Sequence, residues 1–420
     1  MTCLDTIRAR IAPLRGEMDA LPELWPLFER CFLNSIETTI QQTPGDTFVI
    51  TGDIPAMWLR DSACQLSPFI RLSREEPELL ELLTVLSMRH AALILSDPYA
   101  NAFNVGENSS IWMSDGTDMK PFLWERKYEI DSLCHPVRMA WQLWKQTGSA
   151  AHFTEEWRAA FRAMLRVFRT EQHHETQSDY RFQRANAPWT DTLSRDGKGA
   201  LVKEGVGLIW SGFRPSDDAC VYGYLIPSNM QASVCLGHIA EIARAIYDDA
   251  ELADEAAAFS KEVRDAVERF AVVPMAGFYA YEVDGFGQYN IMDDANLPSL
   301  LSMPYMGYCE KDDPRYLATR RMALSSRNPF YYAGKCLKGI GSPHTPPDYV
   351  WDIALAMQGL TSADREEQLA CIRAMADNDA GTHLMHEGIC VDDPTRYTRP
   401  WFSWANSMFC ELVMDYCGIR

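Results

Sequence analysis

Two places in the chain bring carboxyl groups into loop-like surroundings. One is Trp210-Ser211-Gly212-Phe213-Arg214-Pro215-Ser216-Asp217-Asp218-Ala219, and the other is His383-Leu384-Met385-His386-Glu387-Gly388. Hydrolysis by acid–base catalysis needs such a pair, one carboxyl protonated to release a leaving group and one ionised to activate water. Neighbouring aspartates raise each other's proton affinity, which suits Asp217 or Asp218 to the acid role, with Arg214 placed to hold the other as an anion. A plainer reading makes Ser216 a helix cap whose following acids complement the dipole; it accounts for one aspartate better than for two. Glu387 is the candidate base. His386-Glu387 starts like a zinc-protease signature, but Gly388, Ile389 and Cys390 follow, so HExxH is absent and neither His383 nor His386 is assigned to a metal. No metal and no cofactor is expected.

A third stretch, Thr51-Gly52-Asp53-Ile54-Pro55-Ala56-Met57-Trp58-Leu59-Arg60-Asp61-Ser62, joins a large aromatic to a closely spaced Arg and Asp. Sugars are held by such mixtures: C–H faces pack on rings, and hydroxyls need fixed polar partners. Asp131 and His344 have rival structural readings, a helix cap and a hydrogen-bonded loop histidine. Trp141, Trp144 and Trp351 read as core.

Periodic apolar stripes predict the helices that must position these groups: 78–95, 132–145, 154–171, 229–247, 251–271, and one near the end with Trp401, Trp404, Met408, Phe409 and Leu412 on its buried face and Ser403, Ser407, Glu411 and Asp415 opposite. Pro136 is acceptable only near a first turn. Short strands are expected at Phe278–Val283 and Thr47–Thr51. Long Gly-, Pro- and aromatic-rich loops at 43–65, 96–128, 184–228, 274–310, 327–350 and 379–400 separate the helices, an alternation that fits helical hairpins around an axis with the loops gathered at one end. One domain, 1–420, is the simplest account.

The 420 residues carry 58 acidic and 39 basic side chains, a formal charge of −19, with no run of Lys or Arg. That balance argues against nucleic acid, anionic lipid surfaces and diphosphate substrates, and favours a neutral one. Terpene cyclases, which share helical barrels, want a DDxxD magnesium motif; Asp217-Asp218-Ala219-Cys220-Val221 and Asp392-Asp393-Pro394-Thr395-Arg396 both lack its last acid. A glycan-binding scaffold without catalysis is the non-enzymatic rival. Twelve scattered cysteines without a CxxC pair, a start without an export signal and no charge-free apolar run of transmembrane length give the expectation of reduced thiols in the cytoplasm.

The segments TGDIPAMWLRDS, KYEIDSLC (127–134), WSGFRPSDDA, GYLIPSNM (223–230), SPHTP (342–346) and the MHEG…RPWFSWANSMF pattern (385–409) together resemble glycoside hydrolase family 125, from about residue 30 to the C-terminus. The resemblance implies an all-α (α/α)6 barrel and a metal-independent, inverting, exo-acting α-mannosidase, chiefly for α-1,6 linkages, whose partners are neutral α-mannoside glycans. By motif it implies Glu387 as base and an acid within Ser216-Asp217-Asp218, with Asp218 preferred to Asp217. Trp58, Arg60, Asp61, Asp131, Arg214, His344 and Trp404 are expected among the pocket walls. His135, where the family commonly has Tyr, and Gly388, where Ser is usual, are departures expected to touch pocket detail.

Overall fold

The computed structural model describes residues 7–9 and 11–419; the expectation for Cys3 lies outside them. Its principal helices are α1 (Trp25–Thr38), α2 (Leu59–Cys64), α3 (Pro77–Ser96), α4 (Ile130–Thr147), α5 (Glu155–Glu171), α6 (Ile226–Ala245), α7 (Ala250–Phe270), α8 (Pro314–Ala323), α9 (Asp352–Leu360), α10 (Arg365–Ala376) and α11 (Ser403–Cys417). The fold is thus largely helical. Short strands between the helices form small antiparallel sheets: β1 (Ile40–Thr43) with β2 (Asp46–Val49), β3 (Met57–Trp58) with β4 (Ala102–Phe103) and β5 (Leu123–Glu125), β6 (Tyr224–Leu225) with β7 (Glu282–Val283) and β8 (Tyr289–Asn290), β9 (Tyr331–Ala333) with β10 (Lys338–Ile340), and β11 (Tyr349–Trp351) with β12 (Gly388–Cys390).

Two kinds of helix follow from two kinds of sequence. In α5, Trp157, Phe161, Met164, Leu165 and Phe168 are buried along one face while Arg158, Arg162, Arg166 and Arg169 occupy the other; each large side chain so buried contributes on the order of 1.5–3 kcal/mol. In α6, every residue from Ile226 to Ser233 is buried, so its N-terminal half runs inside the protein. Helix α3 is long and apolar enough to cross a membrane, but it packs on α4, α5 and β2 and carries Glu78, Glu81 and Arg89. Neighbouring helices pack in succession, α4 on α6, α6 on α7, α9 on α10 and α11, and the last helix, α11, lies against the first, α1.

Several expectations are adjusted. Pro136 stands well inside α4 and is buried there. The stripe of Ser403, Ser407 and Glu411 on α11 faces protein: Ser35 lies 2.5 Å from Ser403 and 3.1 Å from Ser407, Ser407 donates to the Gln65 carbonyl at 2.7 Å, and Tyr305 donates to Glu411 at 3.0 Å, leaving only Asp415 exposed. Small hydroxyls let two helices approach closely while satisfying each other.

Strand-to-helix junctions build the functional end. β3 runs straight into α2, β6 into α6 and β11 into α9. The residue before each of α2, α4, α6, α9 and α11 (Trp58, Glu129, Leu225, Trp351 and Phe402) is extended and makes no side-chain cap. Helices α7, α8 and α10, by contrast, start on Asp249, Asp313 and Asp364, whose carboxylates accept from the first turn.

Candidate active site

A cavity of about 240 Å³ lies where those uncapped helix starts meet the loops. Ordinary ligand pockets run to about 300–1,000 Å³, so the space suits one sugar ring. Its wall draws on Trp58, Arg60 and Asp61 from the β3–α2 junction, Asp217 from the 210–219 loop, His344, Trp351, Glu387, Arg399, and Phe402 and Trp404 from the start of α11. The indole N–H groups of Trp58 and Trp404 are buried without a protein acceptor, which leaves two donors beside two apolar ring faces in a cavity that can take hydroxyls.

Arg60 organises the floor. It is almost fully buried, donating through Nη1 to Glu129 at 2.7 Å and to Asp131 at 2.8 Å, and through Nη2 to Asp217 at 3.0 Å; the Asp61 carboxylate stands 3.7 Å from its Nε. Burial opposes its charge, but the surrounding carboxylates more than restore it. Burial also raises Asp61 to about 6, against the pull of Arg60 and Arg399. Asp217 behaves differently: burial favours its neutral form, yet Arg60 and Lys127 overcome this and hold it below the usual carboxylate range. Lys127 reinforces the loop by donating to the Asp217 carbonyl at 2.7 Å.

Asp217 and Asp218 form part of a tight loop; no helix follows, so the capping reading of Ser216 does not hold. Asp217 has φ +65°, the left-handed region that Asp enters more readily than most side chains, and its carboxyl reaches the cavity. The Asp218 carboxyl accepts from His344 Nδ1 at 3.2 Å, and its second oxygen is buried without a partner. Burial works against a charged His344, but Asp218 raises the ring to about 9, so it is a cation at neutral pH. Across the cavity, Arg399 Nη1 lies 3.8 Å from the Glu387 carboxylate, while Nε of the same guanidinium donates to Asp53 at 3.0 and 3.2 Å and Nη2 to Thr51 at 3.2 Å. One arginine thereby ties the 51–56 loop to the base.

Of the residues read from sequence, Trp58, Arg60, Asp61, Asp217, His344, Glu387 and Trp404 come together on the cavity wall. Asp131 stands behind Arg60, its other oxygen accepting from Ser228 at 3.3 Å; it neither caps a helix nor touches the cavity. Arg214 is turned away: its Nε donates to the buried Glu282 at 2.6 Å, so the cation holding an aspartate is Arg60 and not the nearer-in-sequence Arg214. His135 lies outside the wall, against Cys64 at 3.2 Å and the Leu297 carbonyl at 3.3 Å, and burial keeps it neutral. A Cβ on Gly388 would stand 3.2 Å from Thr398 Oγ1 and 3.4 Å from Trp351. Trp351, read as core, lines the cavity. Glu129, Asn296, Arg399 and Phe402 were not legible in the sequence, although Glu129, Arg399 and Phe402 lie within the KYEIDSLC and RPWFSWANSMF segments, where their positions beside helix starts and loops were the signal. His386 is buried against Thr382 and the Arg399 carbonyl, and His383 pairs with Asp379 at 3.2 Å.

Residues 21–414 match the profile of the family described as metal-independent α-mannosidase (GH125). The chain is 38% identical over 418 residues to the meiotically up-regulated gene 157 protein of Schizosaccharomyces pombe, covering 94% of this chain and 82% of that protein. Its structure is similar to a metal-independent α-mannosidase of Streptococcus pneumoniae, solved in a non-productive complex with α-1,6-mannobiose, with a TM-score of 0.96 at 45% identity over 99% of both chains. A bacterial glucoamylase bound to acarbose matches at a TM-score of 0.60 and 12% identity, over 93% of this chain and 55% of that one, a likeness of fold alone.

Proposed function

The chain belongs to glycoside hydrolase family 125, the metal-independent α-mannosidases, and from that premise we propose that it is an exo-acting, inverting enzyme that removes single mannose units from the non-reducing ends of α-1,6-linked mannosides. The fold we assign is the (α/α)6 barrel, supported by the succession of packed helices with α11 against α1. The observation that carries the reading is the sharing of one small cavity by Asp217, Glu387, Arg60 and the two tryptophans. A space of single-sugar size favours exo action, and α-1,6-mannobiose in the pneumococcal relative favours that linkage.

In this reading Asp217 is the general acid, because of the two neighbouring aspartates it is the one on the cavity wall. It gives its proton to the departing glycosidic oxygen. Glu387 takes a proton from a water that attacks the anomeric carbon from the opposite face, and inversion requires the two carboxyl groups to stand roughly 6.5–9.5 Å apart. Asp61 and Arg399 bind hydroxyls, and Trp58 and Trp404 pack the ring. A neutral glycan fits the net charge, and a reducing cytoplasm fits the eleven described cysteines, all free thiols. The test compares D217N, D218N and E387Q on α-1,6-mannobiose. D217N and E387Q should each lose on the order of 10²–10⁴ in turnover. A D217N enzyme of normal rate, with D218N inactive, would move the acid to Asp218.

A further inference from the structure

An acid held as an anion by Arg60 and Lys127 has no proton to give, and the geometry beneath it supplies one. Glu129, the last extended residue before α4, is sealed from solvent. Its Oε2 accepts from Arg60 at 2.7 Å and from the Ser132 hydroxyl at 2.7 Å, whereas Oε1 is buried with no protein donor. Asp217 accepts from the neighbouring nitrogen of the same guanidinium, Nη2 at 3.0 Å, so the two carboxyl groups stand side by side on Arg60. Two ionised carboxylates are both acceptors, so a bond between them requires one proton.

The floor carries more negative than positive charge. Arg60 faces Asp61, Glu129, Asp131 and Asp217 at 3.7, 2.7, 2.8 and 3.0 Å; Lys127 and His344, which also act on Asp217, are shared with Asp191 and Glu125 and with Asp218, Arg184 is spent on Asp115, Glu125 and Asp191, and Arg399, which acts on Asp61, is bound to Asp53, so carboxylates still outnumber cations. Buried clusters with surplus negative charge relieve it by keeping a proton. Burial favours that proton on Glu129, opposed by Arg60 and reinforced by Asp217 and Asp131. Tyr180 and Cys220, which also feel Glu129, are pushed up by burial and stay neutral.

We propose that Glu129 and Asp217 hold one proton between them, with Glu129 as the store that recharges Asp217 for its work as the acid; this rests on Asp217 being the general acid. During hydrolysis the proton passes from Glu129 to Asp217 and from Asp217 to the glycosidic oxygen as the C–O bond breaks. The new bond forms from water, whose proton goes to Glu387. Glu129 is left as a carboxylate bonded to Arg60 and Ser132, and the proton on Glu387 returns to the pair through solvent. Glu129 is therefore a positioning residue, acting through Asp217.

The test is E129Q, whose amide can still accept from Arg60 and Ser132 and donate to Asp217 but has no proton to transfer. On α-1,6-mannobiose its kcat should fall about 100-fold or more at neutral pH. On α-mannosyl fluoride, whose leaving group needs no protonation, it should change little. The alkaline limb of the pH profile should move to lower pH, because Asp217 alone, beside Arg60, gives up its proton earlier. D217N should show the same substrate discrimination, and E129Q/D217N should be no worse than D217N. Equal losses on both substrates, or an E129Q enzyme with wild-type rate and alkaline limb, would overturn the shared proton. A D217N enzyme of normal rate on mannobiose would instead remove the acid assignment, and the proposal with it.

Discussion

Replacing Arg60 by Gln deletes the cation on which three carboxylates are hydrogen-bonded, the buried Glu129 and Asp131 at 2.7 and 2.8 Å and the part-buried Asp217 at 3.0 Å, with the buried Asp61 at 3.7 Å. Removing one partner of a buried ionic cluster costs about 3–5 kcal/mol, since the charges left behind remain desolvated. At about 2 cal/mol/K of unfolding entropy per residue, a chain of this length should lose roughly 3–6 °C in Tm. The loss should depend on pH. In the wild type Asp217 is held below its ordinary value despite burial, chiefly by Arg60 and then Lys127, so its contribution is present above the ordinary carboxylate range and disappears as the pH falls. In R60Q burial acts with less opposition on Asp217, Asp131 and Asp61, raising them; groups with raised values stabilise the fold only while protonated, and that support is lost as the pH rises. The gap between the two proteins should be widest near pH 7.5 and narrow towards pH 4.5. Scanning calorimetry at both values, with R60K as a partly restoring control, reads this directly. An R60Q enzyme as stable as wild type at pH 7.5, or equally impaired at both, would refute the claim that Arg60 balances the charge of this floor.

Other expectations concern the walls. E387Q should retain binding of α-1,6-mannobiose by isothermal titration while losing turnover by on the order of 10²-fold or more. Gly52 has φ +136°, and a Cβ there would stand 2.4 Å from the Trp401 carbonyl oxygen; G52A should lose about 1–3 kcal/mol of stability and raise KM, because Trp401 leads into Phe402 and Trp404. R399A, which releases Asp53 and Thr51 from Glu387, should raise KM with a smaller effect on kcat. The His344–Asp218 pair stabilises the fold fully below the free-histidine value of about 6.5 and less as the pH rises through about 9; the Tm difference between H344N and wild type should therefore shrink between pH 6 and pH 10.

What could be read along the chain was what depends on local chemistry. Helices α3, α5, α6 and α7 lie within a few residues of the apolar stripes that announced them, because burying one face fixes a period. Trp58, Arg60 and Asp61 were legible because they share a short junction, and Glu387 because its loop is dense in polar groups. Partnerships across the fold were not. Arg214 is three residues from Asp217 yet serves Glu282, and Arg60, far away in sequence, holds the aspartate instead. Asp131 on α4 had the position of a cap but points under Arg60. Ser403, Ser407 and Glu411 had the pattern of a wet face, and only the close approach of α1 and the 65–67 turn makes it a buried hydrogen-bonded seam. Glu129 needed three elements in place before its unpartnered oxygen meant anything.

The central claim is that Asp217 and Glu387 act together across a single-sugar cavity on an α-mannoside, without a metal. Proton NMR of the purified enzyme with α-1,2-, α-1,3- and α-1,6-mannobiose, with and without a chelator, addresses it directly. The account predicts that the α-1,6 isomer is cleaved fastest, that β-mannose appears first and then mutarotates, and that the chelator changes nothing. First appearance of α-mannose, loss of activity on chelation, or no cleavage of any of the three would contradict it.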